Sequence, residues 1–156
     1  MLKLKQIALV FALANGAAHA ADDALVKKGE YLAVASDCTA CHTAEHGQPF
    51  AGGKVIESPV GEIIATNITP SKIAGIGQYS EQQFADAVRK GVRADGANLY
   101  PAMPYTAYAT LTDEDIQALY AYFMSGVQPV DKTTEETYLT FPPHLRFSMM
   151  FWNTLF

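Results

Sequence analysis

Cysteine and histidine stand side by side once in this 156-residue chain, in Cys38-Thr39-Ala40-Cys41-His42. Two thiols three positions apart, with an imidazole directly after the second, form the attachment pattern of a c-type haem. The thiols add across the two vinyl groups of the porphyrin as thioethers, and His42 supplies the proximal nitrogen to iron. Three other chemistries use such a pair: a local disulfide, a thioredoxin-like dithiol, or half of a zinc site. Zinc calls for further Cys or His at ligand spacing, and no second pair is present. A redox dithiol calls for a βαβ setting that this sequence does not offer. No other cysteine exists in the chain, so no disulfide framework competes for these two.

A haem iron held by one histidine has a second axial face. Met103, Met124, Met149, Met150, His46 and His144 are the candidates for it outside the first residues and the haem motif. Met103 lies in Tyr100-Pro101-Ala102-Met103-Pro104-Tyr105, where two prolines restrict the backbone on either side and remove donors. That is a way to present a thioether without a helix beneath it, against the ordinary reading of a loop methionine as gap-filling core. Packing explains Met124, and Met149 and Met150 belong to an apolar tail. His46 is too close in sequence to His42, and His144 requires the tail to fold back over the haem. An axial thioether raises the reduction potential relative to two imidazoles. For the other nitrogen of His42, a carbonyl in Gln48-Pro49-Phe50 is the expected acceptor. Asn67, in Thr66-Asn67-Ile68-Thr69-Pro70, is read as a donor to a haem propionate, with an ordinary turn role before proline as the alternative.

Three helices must position these groups. The first runs from about Asp23 to Ala35 and delivers the haem-binding turn, with Asp22 and Asp23 at its positive end. Gly29 lies inside it, where glycine either marks close approach by another backbone or is merely tolerated. The second opens at Ser80, with Gln83 completing a capping box, and stops at Gly91. The third opens at Thr112 with acids in its first turn, then places Ile116, Leu119, Tyr120 and Phe123 on one face; Gly126 and Pro129 end it. Between His42 and Ser80 runs a long Gly- and Pro-punctuated loop of the kind that wraps something. Ile63, Ile64 and Ile68 in it are expected to face the porphyrin, with short extended pieces near Lys54–Ile56 and Glu62–Ala65. No internal repeat or low-complexity segment is present.

Residues 1–20 read as an export signal: Lys3 and Lys5, an apolar stretch from Ile7 to Ala18, and the small-residue site Ala18-His19-Ala20. The stretch is too short to span a bilayer and contains Asn15 and Gly16, although an uncleaved anchor is the alternative. The formal charge is −5, and removal of the two signal lysines makes the remainder more acidic. Nucleic acid, which selects basic stripes, is thereby disfavoured. Residues 21–130 then form one domain, and 131–156 an apolar tail or linker. A buried haem supplies much of the core that so small a domain otherwise struggles to build.

With these residues in place the chain resembles a class I cytochrome c domain. Gly29 with Tyr31, and Leu119-x-x-Tyr122-Phe123, are similar to that family's crossing of first and last helices. The resemblance implies an all-α fold, three helices with long loops around one covalent haem c. A closer likeness is to the cytochrome subunit of membrane-bound, periplasmic-facing alcohol, gluconate and sugar dehydrogenases. It is carried by Ala65-Thr66-Asn67-Ile68-Thr69-Pro70, Gly75-Ile76-Gly77, Val88-Arg89-Lys90-Gly91-Val92, Tyr100-Pro101-Ala102-Met103-Pro104-Tyr105 and Leu111-Thr112-Asp113-Glu114-Asp115. In that family the subunit takes electrons from a flavin- or quinone-dependent dehydrogenase and passes them to membrane ubiquinone. Family members carry three haem motifs and a membrane-attachment segment, so this chain, with one motif, resembles the first haem domain. The implied location is the periplasm, where c-type haem is attached. The tail through Phe151-Trp152-Asn153-Thr154-Leu155-Phe156 is expected to dock on a partner or the membrane surface, or to pack on its own domain. Two other functions compete: a diffusible carrier serving a terminal oxidase or peroxidase, and a haem enzyme or gas sensor whose sixth position is open.

Overall fold

Local chemistry places the helix starts. In the computed structural model, which describes residues 22–58 and 61–139, helix α3 (Glu81–Lys90) opens at Ser80. The Ser80 hydroxyl accepts from Gln83 N–H, and the Gln83 side chain accepts from Ser80 N–H. Helix α5 (Asp113–Ala121) opens on the same reciprocal pair between Thr112 and Asp115. Each box satisfies two amide donors that the first turn leaves without intrahelical partners. Three further helical pieces complete the set: α1 (22–35), α2 (Cys38–His42) and the single turn α4 (Tyr105–Tyr108). One π-helical turn, Tyr122–Gly126, continues α5.

Helices α1 and α5 cross where Gly29 meets Ala118. A methyl group on Gly29 would collide with the Ala118 carbonyl, so the crossing requires glycine for its close backbone approach. Lys28, one residue earlier, places its ammonium 2.8 Å from Asp115. That hydrogen bond and the Thr112 hydroxyl hold the Asp115 carboxyl below the usual carboxylate range. Tyr31, expected to take part in the crossing, instead points outward and is 71% exposed. It falls off the stripe of α1 that turns inward at Val26, Gly29 and Ala33.

The core gathers Ala33, Phe50, Ile76, Phe84, Ile116, Leu119, Phe123 and Val127. Edge-to-face contacts of Phe50 with Tyr122 and Phe123, and of Phe84 with Tyr120, knit the last helix to the loop and to α3.

The all-α expectation holds for most of the chain but not all of it. A three-stranded antiparallel sheet, β1 (Val55–Ser58), β2 (Gly61–Ile64) and β3 (Tyr138–Leu139), lies in the order β1-β2-β3. Its first two strands fall at the extended pieces expected near Lys54–Ile56 and Glu62–Ala65. The third strand comes from the segment assigned to the tail. Residues 131–139 are bound to the domain, through β3, a hydrogen bond from Ser71 to Asp131, and one from Ile64 N–H to Thr137. The expected export signal at 1–20 and the aromatic end of the tail at 140–156, with His144, Met149 and Met150, lie outside the described residues. Among the described residues no helix is long and apolar enough to cross a membrane.

Candidate functional site

One cavity of about 440 Å³ is lined by Cys38, Cys41 and His42 from α2 and by Met103 from the loop between α3 and α4. Its volume lies within the roughly 300–1,000 Å³ typical of cofactor sites. Ile63, Ile64 and Ile68 line it as expected, joined by Ile56, Leu99 and Phe123. In the sheet Ile56 pairs with Ile63 across β1 and β2, so the two apolar side chains share the face turned to the cavity.

His42 is held from two sides. Its ring Nδ1 lies 2.7 Å from the Thr66 carbonyl, and its own carbonyl accepts from Gly52 N–H at 2.8 Å. The ring partner is therefore Thr66, and not the Gln48-Pro49-Phe50 segment. The Gln48 and Phe50 carbonyls are taken by Ala51 N–H and Ile68 N–H. With Nδ1 donating to a carbonyl, the lone pair is on Nε2, the tautomer a metal ligand needs. Burial lowers the His42 pKa, against the opposing pull of the Thr66 bond, so the imidazole is neutral. Gly52 explains the close fit: its φ is 71°, and a methyl group there would meet the Thr66 carbonyl carbon at 2.5 Å and Asn67 N at 2.6 Å.

The two thiols are free of each other. Burial pushes the Cys38 thiol up to about 11, with smaller upward contributions from Asp37 and Cys41 and a backbone hydrogen bond opposing them. A thiol so shifted is protonated at neutral pH and poorly suited to thiolate redox or metal chemistry. Lys54 Nζ, 2.6 Å from the Ala40 carbonyl, braces the turn that carries both.

Met103 is fixed by its backbone. Its N–H donates to Tyr100 O at 3.1 Å and its carbonyl accepts from Tyr105 N–H at 2.9 Å. Tyr105 is buried against Gly91 at the end of α3, which anchors the loop. Tyr108 then donates to the Ser36 carbonyl at 2.6 Å, tying the Met103 side of the cavity to the turn before Cys38. Of the competing candidates, the two among the described residues do not share this place. Met124 packs against the core cluster, and the His46 side chain is 92% exposed.

Asn67 lines the cavity, but all four of its hydrogen-bonding positions are occupied within the protein. Nδ2 donates to Val130 O and Lys132 O, while Oδ1 accepts from the Thr69 N–H and hydroxyl. Both side-chain N–H groups are thus engaged within the protein, and the bonds to Thr69 are those of the turn role weighed beside the propionate role. Arg93 is the one permanently cationic side chain lining the cavity among the described residues. It was missed because nothing in Gly91-Val92-Arg93 distinguishes it from a surface arginine. Its place follows from the reversal at 91–99, closed by Leu99 N–H to Gly91 O and Arg93 N–H to Ala97 O.

Comparison with known proteins settles the family. The cytochrome c family model matches residues 26–126. The chain belongs to the cytochrome c family. This cytochrome c domain is 52% identical over 149 residues to the cytochrome c subunit of a quinone alcohol dehydrogenase from Gluconobacter oxydans, covering 94% of the chain and 31% of that protein. It is 51% identical over 153 residues to the gluconate 2-dehydrogenase cytochrome c subunit of Pantoea cypripedii, covering 96% of the chain and 35% of the relative. To the fructose dehydrogenase cytochrome subunit of Gluconobacter japonicus it is 56% identical over 129 residues, 82% of the chain and 26% of the relative. The chain thus spans about a third or less of the length of these curated relatives. Membership of the family, with the Cys38 and Cys41 pair, implies a covalently attached haem c. The donor set fits that group: two free thiols and an imidazole with Nε2 free border an otherwise largely apolar cavity that also holds a thioether.

Proposed function

We propose that this cytochrome c domain carries one covalent haem and relays electrons from a flavin- or quinone-dependent alcohol or sugar dehydrogenase toward the respiratory chain, on the periplasmic side. The observation that carries the reading is the convergence of Cys38, Cys41, His42 and Met103 on one cavity, with the His42 ring oriented by Thr66. Haem iron supplies one-electron chemistry, alternating between ferrous and ferric. Cys38 and Cys41 would hold the porphyrin through thioethers, and His42 and Met103 would ligate its iron. Arg93 supplies the positive charge that porphyrin carboxylates need beside apolar walls. The isoleucines exclude water, which keeps reorganisation small. No side chain is assigned as nucleophile or general base. The dehydrogenase is proposed because the named relatives are dehydrogenase cytochrome subunits. Residues 1–20 are proposed to be the export signal, and the tail beyond 139 to contact a partner or the membrane surface.

The test has two parts. The mass of the mature protein should exceed that of its polypeptide by one haem, surviving denaturation, and Met103→Ala should convert a low-spin absorption spectrum to high spin. An unchanged spectrum would move the protein to the class with an open sixth position. Pull-down from native membranes should then bring a dehydrogenase with it; a haem protein recovered alone would instead be a diffusible carrier.

A further inference from the structure

Asn67 is 4% exposed and joins parts of the chain more than sixty residues apart. Its Oδ1 accepts from Thr69 N–H at 2.9 Å and the Thr69 hydroxyl at 2.7 Å, which fixes the turn 66–69. Its Nδ2 donates to Val130 O at 2.8 Å and Lys132 O at 3.1 Å, in the segment that follows the last helix. Val130 N–H returns a bond to the Thr69 hydroxyl at 3.1 Å. That segment continues along the cavity, where Thr134 and Thr137 form part of the wall. The peptide directly before Asn67 bears the Thr66 carbonyl that receives His42 Nδ1. One amide therefore clamps the same short turn that orients the histidine.

We infer that Asn67 is a positioning residue for His42: by locking the 66–69 turn to residues 130–132 it sets the His42–Thr66 hydrogen bond, and through it the electron donation of the imidazole. The inference rests on the haem reading above. A firm acceptor at Nδ1–H raises the basicity of a ligating histidine, and such outer partners have measurable effects on metal sites. A stronger donor favours the ferric state, so loosening the turn weakens donation and raises the reduction potential. If residues 130–139 served only as a wall, loosening them would admit water, favour the ferric state and lower the potential. The two roles have opposite signs.

Three variants of the full chain decide between them by spectroelectrochemistry. Asn67→Ala should raise the midpoint potential. Thr69→Val, which removes the hydroxyl between Asn67 and Val130 but leaves the two Asn67 donations, should raise it by less. Thr137→Val removes the hydrogen bond that ties the wall to Ile64 N–H, touching neither the 66–69 turn nor residues 130–132, and should not raise it. Proton NMR of the ferrous protein should show the His42 ring N–H exchanging with solvent faster in the first two variants. If Asn67→Ala does not fold, Thr69→Val and its ring N–H exchange carry the comparison. Unchanged or lowered potentials in variants with intact covalent haem would overturn this inference alone. A wild-type protein without covalent haem would overturn the functional proposal, and this with it.

Discussion

Gly52 concentrates at one residue the demands placed on the haem-binding turn. Its N–H holds the His42 carbonyl, its φ of 71° is in the region that L side chains avoid, and its α-carbon lies against the Thr66 peptide. Gly52→Ala would add backbone strain on the order of 1–3 kcal/mol. It would also press the Thr66 carbonyl away from His42. Urea unfolding of the holoprotein should show a loss of about 2 kcal/mol or more, within the range of strained-backbone substitutions, and a variant as stable as wild type would contradict the packing described. Legibility at this scale followed range. The haem motif is five consecutive residues, and the prolines around Met103 are its immediate neighbours, so both were open to reading. The partner of His42 was not, because a backbone carbonyl 24 residues away bears no side-chain signature. The Nδ2 partners of Asn67 were out of reach for the same reason, since they are main-chain oxygens at 130 and 132.

Among the elements, the crossing of α1 and α5 sets the frame on which the site hangs. α1 leads directly into the cysteine turn, and α5 carries Leu119, which reaches the cavity, with Phe123 beyond it in the π-helical turn. Gly29→Ala would gain about 1 kcal/mol of helix propensity. The collision with the Ala118 carbonyl, however, is with backbone, which cannot swing aside, and overpacking of this kind costs typically 1–3 kcal/mol and sometimes more. The expected result is a net loss of roughly 2 kcal/mol in chemical denaturation, the upper part of that range less the propensity gain; a stabilised variant would show that the helices are not in contact there. The Ser80–Gln83 box was readable because it spans four residues; at Thr112 the helix start was read from its acids, and the reciprocal pair with Asp115 came from the structure. The glycine stood at even odds, since close approach depends on which element arrives from 89 positions later. Tyr31 was placed wrongly by likeness to a family pattern, although the inward stripe at 26, 29 and 33 leaves it facing solvent. The sheet was half visible: two strands fall at the extended pieces expected near 54–56 and 62–65, while β3 depends on a tail that turns back to β2.

For the molecule as a whole, the cavity sets the energetic scale. A largely apolar space of about 440 Å³ without its cofactor loses the apolar burial that the porphyrin would provide, and the total that holds a domain folded is only about 5–15 kcal/mol. The wall is also drawn from distant pieces: α2, the sheet, the loop before α4, and residues 134 and 137. Single hydrogen bonds join some of these pieces, among them Tyr108 to Ser36 and Ile64 to Thr137, and the cofactor would add its apolar faces to them. Replacing both Cys38 and Cys41 with Ala should remove covalent attachment and leave a chain with partial helix content, diminished near-UV circular dichroism and exposed apolar surface, the marks of lost side-chain packing. Helices α3 and α5, with their own caps and the Phe84, Ile116 and Phe123 contacts, should account for the residual far-UV signal. A haem-free double variant that unfolds as cooperatively as the holoprotein, with its near-UV spectrum intact, would show that the polypeptide builds its core unaided.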